Sequence, residues 1–122
     1  MCTKNKGEII VNKRNLLSKT ETSALSELKR RICKQIDVTD FILYGSTARG
    51  NTDEDSDIDL LIITKKPLSR ERRHEITDLT FEINLEHGTN FSTLVVDKES
   101  WDKGYFSVLP IKEEILKEGV TI

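Results

Sequence analysis

Two short stretches decide the fold: YGSTARG at residues 44–50 and SDIDL at residues 56–60. The first begins at the last residue of an apolar run, residues 41–44, and then consists mostly of small residues, which is typical of a turn. The second opens another apolar run and carries Asp57 and Asp59. Because the side chains of a strand alternate between two faces, this spacing predicts that both carboxylates project from the same face.

The two stretches together predict a site for a metal and a phosphate group. Neighbouring carboxylates repel each other unless a cation or a proton lies between them, and Mg²⁺ prefers such oxygen ligands. A Gly-Ser turn that leads into a helical turn offers backbone N–H groups to an anion. Taken separately, the aspartates also fit a solvated strand face, and the glycines fit an ordinary turn. Their order and spacing favour the combined site.

The same residues resemble a known family. Gly45-Ser46, a spacer and Asp57-Ile58-Asp59 resemble the signature of the nucleotidyltransferases of the DNA polymerase beta superfamily, and GSTARG with SDIDL resembles its minimal nucleotidyltransferases. The resemblance implies an α/β, nucleotidyltransferase-like fold with a mixed sheet of about four strands and helices packed mainly on one face. It also implies transfer of an NMP unit from an NTP, with ATP expected, to a hydroxyl of a protein or small-molecule acceptor.

The family pattern also implies roles for individual residues. Gly45 and Ser46 would bind the phosphates with support from Arg49. Asp57 and Asp59 would be the catalytic residues that bind Mg²⁺ or Mn²⁺.

Family members carry a third carboxylate on the strand after the long helix, and here that position falls on Ser92. No acid lies between residues 90 and 96. Glu86 and Asp97, on either side of that segment, remain open as substitutes. The alternative to an active transferase is therefore a weak or inactive nucleotide-binding protein of the antitoxin type.

The resemblance further implies a protein partner. Minimal members usually pair with an all-helical protein of the HEPN class, often as the two halves of a toxin–antitoxin pair. A homodimer or a complex with a helical HEPN-type protein is therefore expected. Trp101, Tyr105 and Phe106 are expected either to cover the sheet or to form that contact.

Composition narrows the class of protein. The length of 122 residues predicts a single nucleotidyltransferase domain over residues 1–122, with residues 1–15 as a flexible or edge-strand arm. A net charge of −2 does not favour binding to duplex DNA. No apolar stretch approaches the roughly 20 residues of a membrane span, and the N-terminus lacks the apolar segment of a signal peptide. A cytoplasmic location is expected.

Hydrophobic periodicity and capping signals predict the main elements. Ser18 and Glu21 have the spacing of a capping box, and Asp97 is a candidate helix N-cap. Residues 9–11 are a candidate edge strand. The pattern predicts long helices at 20–36 and 68–87, a short helix at 110–118, and strands at 41–44, 57–64 and 91–96.

Overall fold

The structure, a computed structural model, describes residues 17–45 and 57–122. The predicted arm at 1–15 and residues 46–50 of the predicted turn therefore lie outside the described residues, whereas Gly45 is described. The helices span Lys19–Gln35 (α1), Arg70–His87 (α2), Lys98–Asp102 (α3) and Pro110–Glu118 (α4), and a 3₁₀ segment spans Tyr105–Val108. The strands span Val38–Tyr44 (β1), Ile58–Thr64 (β2), Phe91–Asp97 (β3) and Val120–Thr121 (β4).

The four strands form one mixed sheet in the order β3-β2-β1-β4. β2 is parallel to β3, whereas β1 is antiparallel to both of its neighbours, β2 and β4. The predicted α/β fold with a mixed four-stranded sheet is confirmed. The fourth described strand is Val120–Thr121, which the sequence reading did not predict.

Local signals account for where the long helices begin and end. The capping box of α1 is present, because Ser18 Oγ accepts from Glu21 N at 3.1 Å and Glu21 Oε1 accepts from Ser18 N at 2.9 Å. α2 begins two residues later than predicted, because Ser69 Oγ accepts from Arg72 N at 3.2 Å and fixes the N-cap there. α2 ends at His87, the predicted last residue, and Gly88 in the left-handed conformation is its C-cap.

Apolar side chains bury both faces of the sheet. Ile58, Leu60 and Ile62 of β2 lie in a large cluster with the apolar residues of α1 and α2. The alternate β2 residues Leu61 and Ile63 lie in a smaller cluster on the other face. The two long helices therefore cover one face, and the shorter segments after β3 cover part of the other.

The smaller cluster explains the aromatic segment. Trp101 is buried in this cluster and Phe106 packs against it, whereas Tyr105 is 72% exposed. Two of the three aromatic residues therefore cover the sheet, and the third faces solvent. No helix within residues 17–45 and 57–122 is long and apolar enough to cross a membrane.

Candidate active site

Three residues from adjacent strands form a row at one end of the sheet. Asp59 of β2 is paired with Tyr44 of β1 on one side and with Ser92 of β3 on the other. The next row on this face belongs to the smaller apolar cluster and consists of Ile42, Leu61 and Leu94. Asp59 therefore lies where the apolar covering of this face gives way to polar residues.

Gly45 brings the turn after β1 against the Asp59 carboxylate. Its φ of 79° is in the left-handed region, which glycine adopts without the steric cost that other residues incur. A Cβ at this position would overlap Asp59 Oδ2. The backbone at Gly45 therefore lies close to the Asp59 carboxylate. Ser46 and Arg49, the other predicted phosphate-binding residues, lie outside the described part of the chain.

Asp57 lies immediately before β2 and is exposed to solvent. Asn90, immediately before β3, donates a hydrogen bond from its side-chain Nδ2 to Asp57 Oδ1 at 2.6 Å. The backbone carbonyl of Asn90 accepts from Ile58 N at 2.9 Å. Sequence reasoning did not identify Asn90 as a site residue. Its position immediately before β3 could have identified it, because Asp57 lies immediately before β2 and the starts of paired parallel strands lie side by side.

The electrostatics of the site disfavour the ionised form of Asp59. Partial burial raises the pKa of the Asp59 carboxyl above its usual range, and the negative charge of Asp57 raises it further. Partial burial also raises the pKa of the Tyr44 phenol, with a further contribution from Asp59. A divalent cation between Asp57 and Asp59 would offset this repulsion, so the two oxygen-donor side chains fit a hard metal ion such as Mg²⁺.

Ser92 stands in the row where the family pattern implies a third carboxylate. Its side chain is exposed and pairs in register with Asp59. Within residues 17–45 and 57–122, no group of three or more acidic, histidine or cysteine side chains is placed to hold a metal ion. Among these residues, the candidate site therefore has two carboxylates, those of Asp57 and Asp59, and the hydroxyl of Ser92 takes the third position.

The two candidate substitutes are placed elsewhere. Asp97 is paired with Thr64 at the far end of β3, five residues or about 16 Å along the strand from Ser92. Its carboxylate caps α3, accepting from Ser100 N at 3.0 Å and Ser100 Oγ at 2.7 Å. The predicted N-cap role of Asp97 is present, and a third metal ligand at this position is excluded by distance.

Glu86 lies on α2, which covers the opposite face of the sheet. Its Oε2 accepts from Arg31 Nη2 of α1 at 3.0 Å. This ion pair joins the two long helices on the face away from Asp59. Glu86 therefore does not supply the third carboxylate either.

The topology of the sheet and the close approach of a turn glycine to Asp59 define an α/β domain of the nucleotidyltransferase-like fold. The family model described as a nucleotidyltransferase domain matches residues 25–120, and the chain belongs to this family. The family resemblance of the sequence is confirmed.

Individual relatives agree with this assignment. "Putative protein adenylyltransferase MJ1305" of Methanocaldococcus jannaschii is 41% identical over 70 residues, which are 53% of this chain and 48% of that protein. The similarity thus spans about half the length of the curated relative.

Solved structures show the same fold at low sequence identity. A "putative minimal nucleotidyltransferase" superposes with a TM-score of 0.53 at 20% identity, covering 96% of this chain and 99% of that chain. A toxin-antitoxin crystallised with AMP-PNP gives a TM-score of 0.53 at 16% identity, covering 81% and 69% of the two chains.

Proposed function

We propose that the chain is a metal-dependent nucleotidyltransferase that moves an NMP unit from an NTP to a hydroxyl of a protein or small-molecule acceptor. The observation that carries this proposal is the contact of Gly45 with Asp59, next to Asp57, at the exposed end of the sheet. ATP is the expected donor. The similarity to a relative named as a protein adenylyltransferase and to a structure that holds AMP-PNP supports this choice.

Each residue of the site has a distinct part in this function. Asp57 and Asp59 would hold Mg²⁺ or Mn²⁺, which neutralises phosphate charge when bound. Gly45 carries no side chain, so the turn that would bind the phosphates starts directly against the Asp59 carboxylate. Ser46 and Arg49 would complete phosphate binding according to the family pattern.

The transfer itself needs positioning more than side-chain chemistry. The acceptor hydroxyl oxygen forms a bond to the α-phosphorus, and the bond from that phosphorus to the bridging oxygen breaks, so pyrophosphate leaves. The hydroxyl proton passes to solvent, because the Ser92 hydroxyl cannot serve as a base near neutral pH. Slow turnover is therefore expected of the wild-type chain.

The serine at position 92 also favours a second function. Without a third carboxylate, the chain would bind nucleotide and metal as an antitoxin-like partner with little or no transfer. A helical HEPN-type protein is the proposed partner, either as the acceptor of the NMP unit or as the protein that is bound and neutralised. The structural similarity to a toxin-antitoxin is the support for this context.

Transfer from labelled ATP tests the proposal and separates the two functions. The chain is incubated with α-labelled ATP, Mg²⁺ and a candidate helical partner, and the protein fraction is examined for label. Label that appears with wild type and is lost in Asp57→Asn and Asp59→Asn supports the transferase. Binding of ATP and Mg²⁺ without label on any acceptor supports the antitoxin-like function. Failure to bind either ligand would contradict both.

A further inference from the structure

We propose that Asn90 is a positioning residue for the Asp57–Asp59 metal site, an inference that rests on the proposed function. Its side-chain amide donates to Asp57 Oδ1 at 2.6 Å. A carboxylate oxygen that accepts from a fixed amide has a defined orientation, and its second oxygen is left to face a cation. Asn90, at the start of β3, thus gives a fixed orientation to the carboxylate of Asp57, which is exposed to solvent.

The backbone of Asn90 is fixed to the same strand. Its carbonyl accepts from Ile58 N at 2.9 Å, so Asn90 contacts both Asp57 and the residue after it. Asp59 is one residue further along β2 and is held by strand pairing to Tyr44 and Ser92. Asn90 therefore sets the position of Asp57 relative to a carboxylate that the sheet already holds in place.

Asn84 of α2 holds the start of β3 in turn. Its Nδ2 donates to Phe91 O at 3.1 Å, and its Oδ1 accepts from Phe91 N at 2.9 Å. This two-bond contact fixes the residue directly after Asn90 to a long helix whose Ile83 is fully buried. Asn84 of α2 is thus connected to the Asp57 carboxylate by its hydrogen bonds to Phe91, the peptide bond between Phe91 and Asn90, and the hydrogen bond from Asn90.

The exposure of Asn90 argues that its side chain serves the site more than the fold. The residue is exposed, and truncation to alanine would leave the backbone bond from Ile58 and both bonds made by Asn84. Within residues 17–45 and 57–122, the Asn90 side chain makes its hydrogen bond to Asp57. Partners that orient metal-binding side chains typically contribute about 10- to 100-fold to metal affinity.

The test is a Mn²⁺ titration of the nucleotide-free chain, followed by the electron paramagnetic resonance signal of the free ion. Asn90→Ala is expected to raise the Mn²⁺ dissociation constant about tenfold or more. In the Asp57→Ala background the same substitution is expected to have no further effect, because the residue acts through Asp57. Circular dichroism establishes that each variant is folded.

Thr89→Ala is the matched control. Thr89 is the neighbour of Asn90, and its hydroxyl makes one side-chain bond, to Asn84 Oδ1 at 3.0 Å, without contacting an aspartate of the site. Its truncation is expected to leave the Mn²⁺ affinity within about twofold of wild type.

The outcomes separate the two proposals. Unchanged Mn²⁺ affinity in Asn90→Ala, with weakened binding in Asp57→Ala, overturns the positioning role and leaves the metal site intact. Equal weakening by Asn90→Ala and Thr89→Ala also overturns that role, because it would reflect a general loosening of the start of β3. A wild-type chain that binds no Mn²⁺ overturns the proposed function together with the role of Asn90.

Discussion

Asp59 and Ser92 lie directly side by side on the parallel strands β2 and β3. Paired residues of neighbouring strands project from the same face of a sheet, so the hydroxyl is placed beside the carboxylate. A side chain at position 92 is therefore within reach of any cation that Asp59 binds. The identity of this one residue decides whether the site has two carboxylates or three.

Ser92→Asp is expected to increase NMP transfer by at least about tenfold, because it adds a metal ligand and a proton acceptor. It should also lower the stability of the metal-free chain by about 1 kcal/mol or less, because an exposed carboxylate joins two others. The measurements are pyrophosphate release at saturating Mg²⁺ and thermal unfolding in EDTA. Ser92→Asn, similar in size but uncharged, is the control. Fast wild-type turnover that Ser92→Asp leaves unchanged would contradict the prediction.

Gly45→Ala is expected to abolish binding of metal and ATP and to destabilise the chain by about 1–2 kcal/mol. Its Cβ would overlap Asp59 Oδ2, and its φ of 79° disfavours a side chain. Gly88→Ala is a matched control, because Gly88 has a φ of 67° with open space around it. The control should lose stability similarly but bind Mg²⁺ and ATP as wild type does. Equal ligand binding by both variants would place the phosphate site elsewhere.

Asp59→Asn is expected to stabilise the metal-free chain at neutral pH while it removes the metal response. Burial and Asp57 raise the pKa of folded Asp59, so the folded chain holds the proton more tightly than the unfolded chain. Wild-type stability should then fall as the pH rises from the ordinary value of 3.8 through the raised pKa of Asp59, and change no further above it. The gain in Asp59→Asn stays below about 1 kcal/mol, because solvent screens a partly exposed carboxyl.

The measurement is the difference in unfolding midpoint between Asp59→Asn and wild type, in EDTA, across that pH range. The difference should grow with rising pH. A difference that shrinks toward neutral pH would contradict the repulsion between the two aspartates.

Asp97→Ala is expected to cost about 1–2 kcal/mol of unfolding free energy without changing Mn²⁺ affinity. Its carboxylate caps α3 through Ser100, and these bonds lower the pKa of Asp97. The stabilisation is therefore present above the unfolded pKa and is lost as the pH falls through the lowered pKa. Chemical denaturation and a Mn²⁺ titration check both parts. Weakened Mn²⁺ binding in the folded variant would show that Asp97 does contribute to the site.

Contact with a second chain is expected at the exposed apolar residues after β3. Tyr105, Val108 and Leu116 are 72%, 79% and 65% exposed. Light scattering should give the wild-type chain a molar mass above that of one monomer, either by itself as a homodimer or after a helical partner is added. Tyr105→Ser combined with Leu116→Gln should remove the association.

The other exposed apolar pair provides the comparison for that experiment. Phe81 and Leu85 lie on α2 and are 63% and 69% exposed. Phe81→Ser combined with Leu85→Gln should leave the association intact. If only the substitutions at Phe81 and Leu85 remove the association, the contact lies on the other face of the sheet. A chain that stays monomeric with every partner tested would contradict the prediction.

The sequence predicted those parts of the fold that are encoded locally. The capping box at Ser18, the end of the second long helix at residue 87 and the apolar run of β2 each depend on one turn or one strand. The Val120–Thr121 strand could not be predicted in this way. It has two residues, too few for a period, and it exists because it pairs with Ile42 and Leu43 of β1.

The candidate site was likewise predictable only where it depends on local sequence. The spacing of Asp57 and Asp59 predicts a shared face without knowledge of any other strand. The position of Ser92 beside Asp59, and the bond from Asn90 to Asp57, depend on the register between β2 and β3. Register is set by packing across the whole sheet, so it cannot be predicted from any short segment of the sequence.

The boundary between the polar row and the apolar rows of the sheet affects how this chain tolerates mutation. Ser92, in the row with Tyr44 and Asp59, is exposed, whereas Leu61, in the neighbouring row, is fully buried. Substitution of an exposed residue usually changes folding free energy by less than about 0.5 kcal/mol, far less than truncation of a buried leucine. A substitution at the exposed end of this row is therefore expected to change the site at little cost in folding free energy, whereas a substitution in the apolar rows is expected to cost several times more.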